Sequence, residues 1–347
     1  ALPRVDALCQ SSDGFWLIPR RFKRCVHFER PHHLGRSHRL AQRWRGWRGT
    51  GFGHGDRLRR HWDIQAASDC RTDGRMWHLL VSMMAPAASP TVSPTGPRRW
   101  AHLAAVAMQF LTRIPVRLTS VSDDDLRGSQ AFFPLVGAVV AAVGIAVRAG
   151  LQPLVGAAPA TVAAVAAAVV VTGAFHEDGL ADTADGLWGG WTPERRIEIM
   201  RDSRVGTYGA VTLIASLLYQ VMLLAQLPLA TFATVMLAGH VIGRAAGVAL
   251  AASLAPVSDQ GLGAKVAGRG GTATAVLCSS AAVAAAVLAA GWWFWAPLVA
   301  GAVVIVATRA LARAKLGGLT GDVLGAVTQA TMLAVMTVLV ALWRHGW

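Results

Sequence analysis

The 347-residue chain is 54% hydrophobic and only 15% charged, which excludes a disordered or collagen-like protein and argues against a soluble domain. Its formal net charge of +14 is unevenly spread: residues 1–82 hold 16 Lys and Arg against 7 Asp and Glu, and the remainder holds 17 against 12. That first stretch also carries 7 of the 11 His, 5 of the 13 Trp, and Cys9, Cys25 and Cys70, with no hydrophobic period. A basic nucleic-acid arm using Arg57, Arg59 and Arg60, or a Cys/His metal site, are two functional readings of it. Neither gains support, because no CxxC or HxxxH pair occurs. Residues 1–82 read as a non-native or disordered basic leader, with Met76, Met83 or Met84 as the start, and no nucleic-acid partner is expected. Cys278 sits in an apolar run, so no disulfide framework is expected.

After a Pro/Ser/Thr linker over residues 83–99, residues 100–347 read as one integral membrane domain. Residues 100–116 (WAHLAAVAMQFLTRIPV) are too short to span a bilayer comfortably and read as an interfacial or re-entrant helix. Seven apolar runs follow, at 131–150, 156–175, 206–226, 229–251, 272–291, 296–313 and 322–343, each near the ~20 residues that cross a hydrocarbon core. They are rich in Ala, Val, Leu and Gly, small residues that let helices approach closely in lipid. The fold expected is all-α, a polytopic transmembrane helical bundle in contact with lipid.

The short loops set its orientation. Arg98, Arg99, Arg113, Arg117, Arg127, Arg195, Arg196, Arg201, Arg204, Lys265, Arg269, Arg313 and Lys315 all fall on one side, which the positive-inside rule makes cytoplasmic. The other side has little beyond Arg148 and Arg344, with Trp292, Trp293 and Trp295 as an interfacial belt.

Chemistry concentrates on the basic side. Residues 83–347 hold 12 carboxylates, and 7 of them lie between Glu177 and Asp202, in the loop after the second run. Asp178, Asp182 and Asp185 are spaced i, i+4, i+7, which on a helix places them on one face. Hard oxygen ligands of this kind suit Mg²⁺ or Mn²⁺, while Gly179 and Gly186 count against a regular helix. A solvated acidic loop is the alternative. Thr192, Pro193 and Glu194 then start a short helix through Asp202. Arg201 and Arg204, at i, i+3, could clamp a phosphate or pair with Asp202 and Glu198. Residues 261–271 (GLGAKVAGRGG) offer Gly261, Gly263 and Lys265 to a phosphate, or form a linker. Asp322, beside Gly321, opens the last run on the same membrane side, where a cap alone would also explain it. Arg244 and His240 lie within the fourth run, facing either the bundle interior or, by snorkelling, the interface. Together these point to a Mg²⁺-dependent membrane enzyme acting on a phosphorylated or pyrophosphate substrate.

Six stretches, residues 110–116 (FLTRIPV), 132–137 (FFPLVG), 176–190 (HEDGLADTADGLWGG), 199–209 (IMRDSRVGTYG), 261–263 and 317–326 (GGLTGDVLGA), resemble cobalamin synthase, the adenosylcobinamide-GDP ribazoletransferase family, over about residues 100–343. The resemblance implies a multi-pass enzyme of the bacterial inner membrane with its site facing the cytoplasm. A ribose hydroxyl of α-ribazole, or of its 5′-phosphate, would attack the cobinamide-linked phosphate of adenosylcobinamide-GDP, expelling GMP, with Mg²⁺ required. It gives Asp178, Asp182, Asp185 and Asp322 metal binding, supported by Glu177, and proton transfer to His176 or one of these carboxylates. Arg201, Arg204, Gly261, Gly263, Lys265, Gly321 and Arg244 would bind substrate. A homo-oligomer, or contact with other cobalamin-assembly enzymes, is compatible with it. The chain departs from the family's pattern at Gln329, Met332, Ser258 and Asp259. A CDP-alcohol phosphotransferase-like or prenyltransferase-like enzyme is the nearest alternative, and a transporter the alternative from another class.

Overall fold

The computed structural model describes residues 8–11, 14–17, 96–118, 120–258 and 272–346. The chain divides into two units, Ala1–Ala88 and Ser89–Trp347. In the first, strands β1 (Leu8–Ser11) and β2 (Gly14–Leu17) pair antiparallel, Leu8 opposite Leu17 and Ser11 opposite Gly14. At four residues each, such strands are too short to show a period in the sequence. The rest of residues 1–82, and most of the 83–99 linker, lie outside the described residues.

The described part of the second unit is helical, apart from one bridge between Pro256 and Leu319. Its helices are α1 (Pro97–Leu111), α2 (Asp123–Ser129), α3 (Phe133–Val155), α4 (Ala157–Thr172), α5 (Phe175–Gly189), α6 (Pro193–Met200), α7 (Thr207–Ala225), α8 (Leu229–Ser253), α9 (Thr272–Ala290), α10 (Trp295–Leu316) and α11 (Gly321–Arg344). Local signals explain several ends. Ser122 and Asp125 form a reciprocal capping box at the start of α2, with N–H bonds of 3.0 and 3.1 Å. Thr192 accepts from the Arg195 amide at 3.3 Å, starting α6 at Pro193 as expected, although the helix stops at Met200, two residues short of Asp202. Thr320 does the same for α11 through Val323.

Among the described residues six helices are long and apolar enough to cross a membrane, and a seventh span results if α4 and α5 count as one broken pair. That agrees with the polytopic helical bundle expected, and corrects the second span. The run at 156–175 is not one straight helix: α4 has 16 residues and the chain then turns by 87° into α5. Gly173 and Ala174, both left-handed at φ 64 and 58°, end α4. Their amides bond back to Val170 and Val169, the paired bonds of a Schellman motif. Ala174 lacks glycine's freedom there, a strain of roughly 1 kcal/mol. The part of the acidic stretch that bears Asp178, Asp182 and Asp185, expected in a loop, is helical within α5, because backbone bonding and packing outweigh the cost of Gly179 and Gly186.

Helix α8 is the hub, enclosed by α11, α3, α9 and α10. It buries Phe232, Val235, Met236 and Leu250 in two adjoining apolar clusters. Arg148 on α3, which the sequence placed in an outer loop, is fully buried instead. It donates to the carbonyls of Leu224 at 2.9 Å and Leu227 at 2.5 Å, and stacks 4.2 Å over Phe232. It thereby adds a buried donor to carbonyls at the end of α7 and just beyond it, where the helix dipole favours a cation.

Candidate active site

The site forms where α5 crosses the start of α11. A Cβ on Gly179 would lie 2.8 Å from the Asp322 carbonyl oxygen, and one on Gly325 would lie 3.2 Å from the Gly179 Cα. Only glycine at both positions lets the two backbones touch, as small residues do between membrane helices. This crossing, which no spacing in the sequence announces, carries Asp322 to the face bearing Asp178 and Asp182. The charges of Asp178, Asp322 and Asp185 all act on Asp182, and that of Arg201 reaches Asp322. Asp178 and Arg201 are exposed, while Asp182, Asp322 and Gly321 are half-buried.

The remaining candidates separate from this group. Both Asp185 oxygens are occupied, accepting from the Gly206 amide at 2.7 Å and the Gly209 amide at 2.8 Å. The carboxylate is buried and sits on the N-terminal turn of α7, where the unpaired amides and the dipole both favour an anion. Glu177 faces the other side of α5 and accepts from Gln329 Nε2 at 2.6 Å. An amide donates to a carboxylate with no proton to find, so Gln329, a departure from the family pattern, has a defined partner here. Arg204 turns to Asp202, with bonds of 3.0 and 2.6 Å, and does not clamp opposite the acids. That guanidinium holds the exposed Asp202 carboxyl down at about 2. His176 is buried beneath the acidic face, its ring edge-on to Phe175 at 5.3 Å. Gly261, Gly263 and Lys265, with Asp259 and Arg269, lie outside the described residues.

Arg244 is buried in the bundle interior, not snorkelling. Its Nη1 meets His240 Nδ1 at 3.0 Å and donates to the His240 carbonyl at 3.2 Å. Glu177, His176, His240, Gln220 and Gln329 line one small cavity with it. Within this region Glu177 Oε2, His240 Nε2 and Arg244 Nε have no hydrogen-bond partner. Arg196, which the sequence offered only as part of the positive side, donates from Nη1 to the Lys315 carbonyl at 3.0 Å and ties α6 to the end of α10. Its charge gave a topology signal but no partner.

Among the described residues no three acidic, His or Cys side chains converge closely enough to chelate a cation directly. Asp178, Asp182 and Asp322 nevertheless supply the hard oxygen donors that suit Mg²⁺, which keeps several waters and uses one or two carboxylates plus substrate phosphate. The donor set fits a hydrated ion.

Comparison with known proteins follows the same boundaries. The family described as cobalamin-5-phosphate synthase matches residues 103–340. An adenosylcobinamide-GDP ribazoletransferase of Shewanella halifaxensis is 38% identical over 245 residues, covering 68% of this chain and 94% of the relative. Proteins of the same name from Shewanella amazonensis and Ralstonia nicotianae are 37% and 38% identical, covering 72% and 68% of this chain and 98% and 93% of their own. No solved structure matches. The CDP-alcohol phosphotransferase, prenyltransferase and transporter readings gain nothing from these matches. With its helical membrane bundle, its HEDGLADTADG helix crossing GGLTGD, and this breadth of similarity, the chain belongs to the cobalamin-5-phosphate synthase family.

Proposed function

We propose that the chain is an adenosylcobinamide-GDP ribazoletransferase, completing the nucleotide loop of adenosylcobalamin by phosphoryl-type transfer with Mg²⁺. The observation that carries the reading is the α5–α11 crossing, which gathers Asp178, Asp182 and Asp322 beside Arg201 in a chain of this family. The ribose hydroxyl oxygen of α-ribazole, or of its 5′-phosphate, bonds to the cobinamide-linked phosphorus. The bridging P–O bond breaks, GMP leaves with its electron pair, and the hydroxyl proton passes to a carboxylate of the cluster. Asp178, Asp182 and Asp322 hold the Mg²⁺, which supplies neutralising charge to the phosphates when bound. Arg201 positions the pyrophosphate, and Gly321 leaves room for it beside Asp322. His176, Glu177 and Arg244 lie behind this face, and Asp185 acts on it by anchoring α7.

The enzyme is multi-pass in the bacterial inner membrane, with this face toward the cytoplasm. Support comes from Arg195, Arg196, Arg201, Arg204, Arg313 and Lys315 around the α5–α6 and α10–α11 connections. The test is an assay of membrane fractions with adenosylcobinamide-GDP and α-ribazole 5′-phosphate. GMP and corrinoid product should appear together, only with Mg²⁺. Product formed equally in chelator would remove the ion from the reading, and no product from inserted protein would overturn it.

A further inference from the structure

Three aromatic rings that the proposed chemistry leaves without a role meet at one place. Phe110 from FLTRIPV, Phe133 from FFPLVG and Phe175 at the start of α5 bound a narrow chamber. Phe110 lies parallel to Phe133 at 5.8 Å and edge-on to Phe175 at 5.6 Å. Gly321 and Gly325 line the same chamber, so one wall flanks Asp322. His176 and Arg244 also line it, and Arg244 carries an Nε–H with no acceptor although it is 3% exposed. An enclosure of aromatic rings with an unspent buried donor, next to a phosphate-handling face, fits one kind of ligand. It is flat and aromatic, has an acceptor nitrogen on its edge, and carries a polar group out toward the carboxylates.

We propose that this chamber takes the heteroaromatic base of the nucleoside acceptor, so that Phe110, Phe133 and Phe175 are specificity-determining residues and Arg244 holds the base's free ring nitrogen. The proposal rests on the function proposed above. The base packs against the rings, and its ribose emerges past Gly321 at Asp178, Asp182 and Asp322, where its hydroxyl is needed. The chamber also explains selection: a base that fills it and accepts from the Arg244 Nε–H binds, and one lacking the acceptor nitrogen leaves that buried donor unmet.

Equilibrium dialysis of α-ribazole, and separately of adenosylcobinamide-GDP, against the full chain in lipid nanodiscs tests this. Leu324 lines the chamber from α11, and Leu324→Phe fills it. The substitution should weaken α-ribazole binding about tenfold and leave adenosylcobinamide-GDP binding unchanged. Phe175→Leu, at a ring already 38% exposed, is the milder variant and should weaken α-ribazole by a similar factor through lost stacking. Retained adenosylcobinamide-GDP binding certifies that each variant is folded. If α-ribazole binds wild type and both variants alike, the chamber is overturned while the proposed function stands. If the variants change only co-purifying lipid, the chamber holds an acyl chain and the proposal falls. Wild type that binds no α-ribazole and releases no GMP overturns both readings.

Discussion

Asp182 and Asp185 sit three residues apart on one helix and have different work. Asp182 lies half-buried, with the charges of Asp178, Asp322 and Asp185 acting on it. Asp182→Asn keeps the size and removes the charge, so turnover should fall by about 10²–10³ with helicity and membrane insertion unchanged. Near-normal turnover would sink the site. Asp185 spends both oxygens on the amides of Gly206 and Gly209. Asp185→Asn should therefore act first on stability, costing about 1.5–3 kcal/mol for bonds to a charged acceptor, read as a lowered midpoint of thermal unfolding in detergent. Asp202 supplies a contrasting titration. Its carboxyl is held at about 2 by Arg204, so its share of stability is present above the ordinary carboxylate range and is lost progressively as pH falls from that range through about 2. Asp202→Asn should leave the pH–rate profile between pH 5 and 9 unmoved; a shifted limb there would give this pair a part in the chemistry.

At the scale of elements, the geometry depends on two glycines. Gly179→Ala drives a methyl toward the Asp322 carbonyl, at 2.8 Å. The methyl cannot be accommodated by a rotamer change, because the obstacle is backbone. The substitution should cost about 1–3 kcal/mol as overpacking does. It should also depress turnover more than Leu180→Ala, one residue along the same helix, in parallel assays of equal amounts of inserted protein. Equal effects would show that the α5–α11 approach does not set the site. The 87° turn at Gly173 and Ala174 is the other element-scale device. It swings α5 away from the axis of α4, so that a helix carrying four acids need not cross the hydrocarbon core, where charge is expensive.

At the scale of the molecule, the family match begins at residue 103, and the basic stretch over 1–82 lies wholly before it. Protein starting at Met84 should turn over as the full chain does in the same membranes; a loss of activity would assign the leader a function. Orientation is open to a direct test as well. In protein starting at Met84, which keeps Cys278 and lacks Cys9, Cys25 and Cys70, Arg204, 86% exposed at its side chain, replaced by Cys should be labelled by an impermeant maleimide only in inverted vesicles, and Cys at Trp292, 88% exposed, only in right-side-out ones. Cys278 is buried and should stay silent in both.

The apolar runs and the spacing of Asp178, Asp182 and Asp185 were legible in the sequence because lipid demands length and composition, and a helix demands a period; neither needs a distant partner. The bend after Thr172 was not, since Gly173 alone could equally end a loop, and Ala174 in the left-handed region carries no signal. Nor could spacing say which acids act together. Asp185 belongs to the face by period, yet the amides of α7 claim it; Glu177 belongs to the motif, yet it turns inward to Gln329, 152 positions away. Asp322 joins Asp178 and Asp182 only because two glycines from separate helices allow the backbones to meet. The sequence by itself thus determined the membrane bundle, its family and the acidic helix, which are properties of local composition and period. The tertiary structure alone decided which side chains share a site, because that depends on long-range helix crossings and on hydrogen-bond partners that no local pattern encodes.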